Sequence, residues 1–309
     1  MRPLYDLNRH YHQPINTSDY RGFDLRKIIH ITDIHLVPEG QIVVGMDPRQ
    51  RFEQVIQTIN KRHADTDYCI ISGDLTDRGD IESYLLLEHL LDNLEVPTGL
   101  MLGNHDNRAH FRTVLSGIPV DGAGFVQNVV DFGDLRIILL DTLDDENAGT
   151  GILCKHRLAW FSARLAEATS KRICVFMHHP PRSVGLPWFD NMMLEQTDGF
   201  WQLIDSNSNI EHIAFGHLHI TTTGRWDRVS FSCNRGTCHR IALGFGKDSI
   251  EFVNSEPTFD IITISDTGVL IHHTAPIIEE DIIAREYSTA DGKGRIELLC
   301  RDTRASMVE

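Results

Sequence analysis

The sequence contains no apolar stretch long enough to cross a membrane. A helix that spans a bilayer needs about 18 or more consecutive apolar residues, and no such run occurs among the 309 residues. Residues 1–6 also lack the apolar region of a signal peptide. We therefore expect a cytoplasmic protein with no membrane partner.

Cysteine is sparse and never arranged in a CxxC pair. The six cysteines are scattered along the chain, and Cys69 and Cys174 fall within apolar runs of strand length. A reduced thiol in such a run behaves as a small hydrophobic group. We expect reduced thiols, and the sequence leaves open a disulfide among the other four cysteines.

Positive charge is also scarce. Lysine and arginine number 29 against 44 acidic residues, which gives a net charge of −15 without any basic block. A protein that grips a nucleic-acid duplex needs a basic face, so no extended nucleic acid is expected as a partner. No GxSxG or Walker-type GxxxxGK[ST] motif is present, because Gly244-Phe245-Gly246-Lys247 lacks the required spacing.

The first third of the chain repeats one pattern three times. An apolar run of strand length ends in polar residues, and a segment with helical spacing follows. The predicted strands are 25–32, 68–71 and 96–102, and the predicted helices are 48–61, 81–94 and 107–115. Such alternation is typical of βαβ units and a parallel sheet.

The rest of the chain, from residue 125 onward, predicts further strands and helices. A hairpin signal at Gly133-Asp134 joins predicted strands 125–131 and 135–140. The remaining predicted helices are 156–169 and 197–205, and the remaining predicted strands are 172–177, 210–215, 221–226, 229–233, 240–243, 259–265 and 269–273.

Five of the predicted strands end in side chains that can bind metal ions. In chain order these are Asp33 with His35, Asp74, Asn104 with His105, His178, and His217 with His219. Each one alone has an ordinary explanation as a turn residue, a helix cap or a core histidine. Five in succession indicate one site, and a parallel sheet would gather them along one edge.

The set is larger than one metal ion needs. Without His105 the set comprises seven groups, three carboxylate or amide oxygens and four imidazoles, which suits two ions bridged by a carboxylate. Asp33 and His35 are two residues apart on extended chain and project to the same side, and His217 and His219 share this spacing. Ligands without thiolate suit Mn, Fe, Zn or Co. A two-metal site of this kind predicts phosphoester hydrolysis.

The motifs Asp-x-His, Gly-Asp, Gly-Asn-His-Asp, His-His-Pro and Gly-His-x-His, in this order, resemble the calcineurin-like metallophosphoesterase superfamily. The resemblance covers residues 27–274. Within the superfamily, 103–108, 177–181 and 236–239 are most similar to bacterial class III cyclic-nucleotide phosphodiesterases and glycerophosphodiester phosphodiesterases. Asn107 departs from an aspartate of that group.

The resemblance implies an α/β (α+β) fold, a four-layer αββα sandwich with a C-terminal cap or dimerisation segment. It implies that small phosphodiesters, cyclic nucleotides or glycerophosphodiesters, are hydrolysed by a metal-bound hydroxide. The catalytic residues would be His105, Asp74 and Asn104, with Asp106 and His179 in support. Metal 1 would be held by Asp33, His35, Asp74 and His219, and metal 2 by Asp74, Asn104, His178 and His217.

We expect the chain to have three parts. These are an N-terminal arm (1–24), a phosphoesterase domain (25–275) with a lid segment (182–201), and a C-terminal tail (276–309). Residues 188–193 are apolar enough to be either a lid over the substrate or a dimer interface. We expect a homodimer or larger assembly. The alternatives are a phosphomonoesterase or nuclease on the same scaffold, and a non-enzymatic metal-binding scaffold.

Overall fold

A computed structural model describes residues 25–147, 149–246, 248–277, 281–282, 284–287 and 295–298. The predicted N-terminal arm (1–24) lies outside the described residues. The chain forms two compact units, Met1–Ala275 and Pro276–Glu309.

The first unit contains all five described α-helices and nearly all of the strands. In chain order the elements are β1 (Arg26–Ile31), α1 (Pro48–Arg62), β2 (Tyr68–Ser72), α2 (Ile81–Leu91), β3 (Thr98–Met101), α3 (Arg108–Val114), β4 (Asn128–Phe132), β5 (Leu135–Leu139), β6 (Gly151–Ile152), α4 (Lys155–Ala166), β7 (Arg172–Phe176), β8 (Leu194–Glu195), α5 (Asp198–Ser206), β9 (Ile210–Phe215), β10 (Thr222–Trp226), β11 (Val229–Cys233), β12 (Arg240–Ile241), β13 (Phe252–Val253), β14 (Phe259–Ser265) and β15 (Gly268–Thr274).

Two large mixed sheets form the centre of this unit. The first has the strand order β15-β14-β1-β2-β3, in which β1, β2 and β3 are parallel. The second has the order β10-β11-β9-β7-β5-β4, in which β5, β7, β9 and β11 are parallel. In the first sheet β14 and β15 are added antiparallel at one edge, and in the second sheet both outer pairs are antiparallel. The predicted hairpin of β4 and β5 around Gly133-Asp134 is confirmed.

The sheets pack face to face, and helices cover their outer faces. Tyr68 in the first sheet meets Phe132 in the second with ring centroids 6.2 Å apart. A Cβ on Gly99 would lie 2.8 Å from Leu139 Cδ1, so the two sheets approach closely there. Helices α1, α2 and α3 share one buried cluster with the first sheet, whereas α4 and α5 pack with the second. The predicted αββα layering is therefore confirmed.

Local sequence explains where the first two helices begin. Asp47 caps α1 by accepting the Gln50 N–H at 3.2 Å, and Pro48 occupies the first turn, where its missing N–H costs nothing. Asp80 caps α2 by accepting the Ser83 N–H at 2.9 Å. Each cap fixes the residue at which the loop after β1 or β2 ends and the helix begins.

One expectation about the sheets needs correction. The repeated strand, polar tip and helix predicted that one parallel sheet would gather all five strand ends. Instead, the ends after β1, β2 and β3 belong to the first sheet and those after β7 and β9 to the second. A continuous apolar run indicates that a strand is buried on both faces, but it does not indicate which sheet the strand joins.

The second unit contains a short antiparallel hairpin, β16 (Ala284–Tyr287) and β17 (Arg295–Leu298). Its predicted role as a cap or dimerisation segment stays a prediction. In the part of the chain that the structure describes, no helix combines the length and apolar character needed to cross a bilayer. The five cysteines within the described residues are all free, and Cys300 lies outside them.

Candidate metal centre

The strand ends that carry the predicted ligands have an unusual backbone. Five ligand residues adopt positive φ although none is glycine: Asp33 (54°), His35 (45°), Asp74 (47°), His217 (73°) and His219 (51°). Each such conformation costs about 1–3 kcal/mol and persists only where the surrounding structure enforces it. Strain of this kind concentrates at functional sites.

Two glycines let these strand ends approach one another. A Cβ on Gly103 would lie 2.2 Å from Asp74 Oδ1, and one on Gly216 would lie 1.9 Å from Thr32 Oγ1. Both distances are shorter than any real contact, so only glycine fits at either position. The Gly-Asn-His-Asp and Gly-His-x-His motifs therefore begin with glycine for a steric reason.

The first group of ligands comprises Asp33, His35, Asp74 and His219, whose donor atoms all lie within 4.8 Å of one another. His219 Nε2 lies 3.2 Å from Asp33 Oδ1 and 3.2 Å from His35 Nε2. His35 Nε2 lies 3.6 Å from Asp74 Oδ2. All four residues are buried, and they are the four predicted for metal 1.

The second group is centred on His178. Its Nε2 lies 3.3 Å from Asp74 Oδ2 and 3.3 Å from Asn104 Oδ1. The His217 ring lies 5.2 Å from the His178 ring, and its backbone N–H donates to Asp33 Oδ2 at 3.1 Å. The structure thus brings together all the residues predicted for metal 2. Asp74 Oδ2 is near the histidines of both groups.

Hydrogen bonds at Nδ1 orient three of the histidines. His178 Nδ1 lies 2.9 Å from the Ser72 carbonyl, and His219 Nδ1 lies 3.0 Å from the His239 carbonyl. His35 Nδ1 lies 3.2 Å from Asp77 Oδ1. In each case Nδ1 is the protonated nitrogen and Nε2 faces the cluster, which is how proteins orient imidazole ligands.

The charges in the cluster are mutually dependent. Burial disfavours protonated His178, but Asp74 and Asp33 outweigh it and raise the pKa of His178 to about 9. Burial alone would raise the pKa values of Asp33 and Asp74. His219 holds the pKa of Asp33 well below its ordinary range, and His178 does the same for Asp74. Protons on imidazoles therefore balance the two carboxylates, and a cation can take the place of such protons.

His217 behaves differently. Burial, and then His178, lower its pKa to about 3, so its ring is neutral near pH 7. Its Nε2 is buried and has no hydrogen-bond partner among the described residues. A buried nitrogen with a free lone pair, beside carboxylates, an amide and other imidazoles, suits a transition-metal ion. The donor set thus fits the metals that the sequence predicts.

His105 lies beside the cluster with one nitrogen facing solvent. Its Nδ1–H donates to the Asp77 carbonyl at 2.8 Å, and its ring lies 4.7 Å from the His35 ring. Asp74, acting against burial, raises the pKa of His105, and Asp77 adds to this effect. The ring is therefore oriented and can carry a proton at Nε2.

Asp106 ties two of the loops together. Its buried carboxylate accepts the Gly103 N–H at 2.9 Å, the Leu75 N–H at 3.1 Å and the Tyr84 hydroxyl at 2.9 Å. It thereby joins the loop after β2 to the loop after β3. The Asn107 side chain caps α3 by accepting the His110 N–H at 3.0 Å, so this departure from the resemblance is a helix cap.

His179 is fully buried, and Thr142 orients it. Its Nδ1 lies 2.8 Å from Thr142 Oγ1, while its Nε2 has no hydrogen-bond partner among the described residues. The ring lies 4.9 Å from the His217 ring. Gly151 packs directly on the His179 ring, since a Cβ there would lie 2.5 Å from it.

A cavity of about 390 Å³ opens over both ligand groups. His35, Asp74, Asn104 and His105 are at its polar floor, while Trp188 of the predicted lid segment lines its wall. The site is therefore accessible to a small molecule, and the lid segment borders it.

Comparison with known proteins now identifies the family. The model for the calcineurin-like phosphoesterase family matches residues 26–221, which is more than half of the chain. The chain belongs to the calcineurin-like phosphoesterase family. A protein of Rhodopseudomonas palustris, named as a probable cyclic nucleotide phosphodiesterase, is 33% identical to this phosphoesterase over 267 residues, or 85% of this chain and 97% of the relative.

Other relatives of the phosphoesterase extend the comparison. A probable glycerophosphodiester phosphodiesterase of Arcobacter nitrofigilis is 26% identical over 81% of this chain and 93% of its own. A dimetal phosphatase from Danio rerio superposes with a TM-score of 0.59, covering 82% of this chain and 99% of that one at 12% identity. At that identity the superposition shows a shared fold.

Sequence reasoning missed two residues of this site. Asp77 orients His35, and His239 stacks on His219 with ring centroids 4.0 Å apart and planes 8° apart. A metal-binding imidazole needs a partner at its other nitrogen, and Asp77, three residues after Asp74, was available as one. His239 belongs to the segment 236–239 that carries part of the resemblance, but the sequence assigned it no role because this segment is separate from the strand ends.

Proposed function

We propose that this phosphoric diester hydrolase cleaves small phosphodiesters, cyclic nucleotides or glycerophosphodiesters, with two metal ions. The proposal is supported by relatives named for both activities. The single observation that carries it is the position of Asp74 Oδ2, 3.6 Å from His35 Nε2 and 3.3 Å from His178 Nε2. One carboxylate oxygen thus adjoins both ligand groups.

Under this proposal Asp33, His35, Asp74 and His219 hold one ion, and Asp74, Asn104, His178 and His217 hold the other. When bound, two cations supply Lewis-acid polarisation of the phosphoryl group and lower the pKa of water at the site. The protein supplies the donors, and the Nδ1 atoms of His35, His178 and His219 are already hydrogen-bonded.

His105 acts on the substrate. Its Nδ1 is occupied by the Asp77 carbonyl, so a protonated ring presents Nε2–H toward the cavity. That proton can be donated to a phosphoryl oxygen, or to the departing alkoxide as the P–O bond breaks. Asp74, acting against burial, raises the pKa of His105, which favours the protonated form that this role requires.

The test is a panel of substrates with metal-reconstituted protein. It compares 3′,5′-cyclic AMP, 2′,3′-cyclic AMP, glycerophosphoethanolamine and p-nitrophenyl phosphate, and it measures bound metal by elemental analysis. We expect two ions per chain and turnover of diesters above the monoester. Asn104→Ala should lose both activity and part of the metal, whereas Asn93→Ala, an exposed residue beyond α2, should retain both.

Each failure of this test has a distinct meaning. Faster monoester turnover would make the protein a phosphomonoesterase and remove the diesterase assignment. Two bound ions without any turnover would favour the metal-binding scaffold. One bound ion with full activity would contradict the dinuclear mechanism.

We also propose that residues 276–309 form a cap that contributes to a homodimer or larger assembly. Its support is the sequence pattern of the tail together with the pairing of β16 with β17. Light scattering of the full chain should give at least twice the monomer mass of 35.1 kDa. A monomeric mass at micromolar concentration would contradict this.

A further inference from the structure

The cavity over the metal centre has a polar floor and apolar walls. One wall comes from the loop after β1 and carries Ile42, Val43 and Val44. A second comes from the β12–β13 hairpin, which contributes Ile241, Ile250 and Phe252, and a third from the lid segment, which contributes Trp188, Phe189 and Met192. Three separate chain segments therefore present apolar side chains to the same space.

Several of these side chains are exposed although they are large and apolar. Ile42 is 62% exposed, Val44 47% and Phe252 46%. All three line the same cavity and so form one patch, unlike single exposed apolar residues scattered over a protein surface. An exposed apolar patch rimmed by polar groups is typical of a binding site.

The walls are held in place by the fold. Trp188, Met192 and Ile250 are partly buried and pack against the main hydrophobic core. The ring of Phe252 meets the ring of His239 edge-on at 5.1 Å, and His239 in turn stacks on the ligand His219. Phe252 is thus connected to the metal centre through one intervening ring.

Val44 is held in a strained conformation. Its φ is 41°, which a β-branched residue rarely adopts. The Val43 N–H donates to the Met46 carbonyl at 2.9 Å, and the Met46 N–H returns to the Val43 carbonyl at 2.8 Å. This tight turn keeps Val44 at the cavity.

We propose that these walls form a subsite for an apolar, planar ester group on the phosphodiester, and that Phe252 is its main specificity-determining residue. The inference rests on the proposed function, because the phosphate must be at the floor for its ester group to reach the walls. Imidazoles and metal ions at the floor take the anionic phosphate. Apolar side chains at the walls take an aromatic ring.

The chemistry of the walls disfavours a hydroxyl-rich ester group such as glycerol. Apart from the Trp188 indole N–H, the side chains of these three walls contain no strong hydrogen-bonding group. Asp77 and Arg78, which also line the cavity, come from the loop after β2 and not from these walls. Hydroxyls placed against them would lose water without compensation. A planar ring loses little on leaving water and gains contacts with Phe252.

The test uses two diesters with the same leaving group. Phenyl p-nitrophenyl phosphate and methyl p-nitrophenyl phosphate both release p-nitrophenolate, and they differ in the ester group that stays on the phosphorus. We expect kcat/KM to be about tenfold or more higher for the phenyl diester, because ring burial and stacking contribute that much binding free energy. The change should come from a lower KM for the phenyl diester. Calorimetric titration of metal-loaded protein with diphenyl and dimethyl phosphate should show the same order of affinity.

Two phenylalanines of the β12–β13 hairpin provide the variant and its control. Phe252→Ala should reduce the phenyl preference about five- to tenfold. Phe245→Ala, 71% exposed on the loop of the same hairpin and not at the cavity, should keep the wild-type preference.

Equal kcat/KM for both diesters would overturn the subsite while leaving the diesterase function intact. If the phenyl preference survives Phe252→Ala, another residue determines that preference and the proposed role of Phe252 is overturned. If Phe252→Ala instead lowers the mass in light scattering at unchanged preference, the wall is a contact between copies and the inference fails. If neither diester turns over although two ions bind, the proposed function fails as well.

Discussion

Two buried carboxylate clusters in the first unit differ in how their charges are paired. Asp141 is completely buried and accepts hydrogen bonds from Arg108 Nε at 3.1 Å, Arg108 Nη2 at 2.9 Å and the Val126 N–H at 2.9 Å. Arg157 adds a contact at 3.4 Å and lies over the Phe125 ring at 4.5 Å. Protein groups thus supply the partners that this carboxylate needs.

The metal centre buries its carboxylates as deeply but pairs them less fully. Asp33 and Asp74 face imidazoles, His217 Nε2 has no partner among the described residues, and five ligands have a strained backbone. An imidazole can release its proton, whereas a guanidinium cannot. The Asp141 carboxylate is therefore paired by groups of the protein itself, while the candidate metal centre is arranged for a partner from outside the chain.

The largest expected effect is that of Asp74→Asn. Because Asp74 Oδ2 adjoins both ligand groups, losing its charge should lower kcat at least about a thousandfold and reduce bound metal. In the metal-free protein the amide fills the same space, but His178 loses the buried counter-charge that raises its pKa, so the free energy of unfolding should fall as well. Kinetics, elemental analysis and urea unfolding in chelator measure these. Wild-type kcat and metal content in the folded variant would make Asp74 structural, as Asp141 is.

Asp141→Ala should give the opposite pattern. It leaves Arg108 and Arg157 without their buried partner, which should lower the free energy of unfolding by about 3–5 kcal/mol. Urea unfolding tests this, and the metal content of the folded variant should remain that of wild type. Asp145→Ala removes an exposed partner of the same Arg108 and should cost less than about 1 kcal/mol. Equal losses of unfolding free energy from Asp141→Ala and Asp145→Ala would show that the buried carboxylate stabilises the fold no more than the exposed one.

Asp77→Asn should weaken metal binding without affecting the fold. Asp77 holds His35 Nδ1 at 3.2 Å, and losing such an orienting carboxylate typically lowers metal affinity by about 10–100-fold. Competition with a chelator measures the affinity. Asp80→Asn, at the cap of α2, is the control, because aspartate and asparagine cap helices equally well. Unchanged affinity would show that His35 is oriented by packing alone.

Near neutral pH the smallest expected effect concerns a histidine whose partners satisfy it when it is neutral. His212 lies between Ser230 Oγ and Ser232 Oγ, each at 2.9 Å, and burial followed by His30 lowers its pKa from 6.5 to about 3. Between these values the unfolded chain binds a proton that the folded chain does not. Stability should therefore fall as the pH drops below 6.5 toward 3, by at most about 1.4 kcal/mol per pH unit.

His212→Gln removes this proton while keeping a polar group between the serines. Urea unfolding at several pH values from 7 to 4 should show a shallower decline for the variant than for wild type. Identical declines would mean that other groups govern acid unfolding and that His212 contributes nothing.

The sequence by itself determined the elements and the chemistry of the site. Apolar runs and helical spacing located the three βαβ-like repeats and the helices, since a buried strand and an amphipathic helix each impose a period on the chain. The motifs at the strand ends, with the resemblance they carry, predict the candidate ligand residues that the fold brings together. What those residues bind and catalyse stays a proposal.

Tertiary structure alone decided how these pieces meet. Whether a strand joins the first or second sheet depends on pairing across distant segments, and strand patterns are the same in either sheet. Asp77, His239 and the apolar walls of the cavity come from loops without periodicity, so only folding brings them to the ligands. Positive φ at Asp33, His35 and Asp74 likewise follows from the surrounding contacts, because these residues do not favour it on their own.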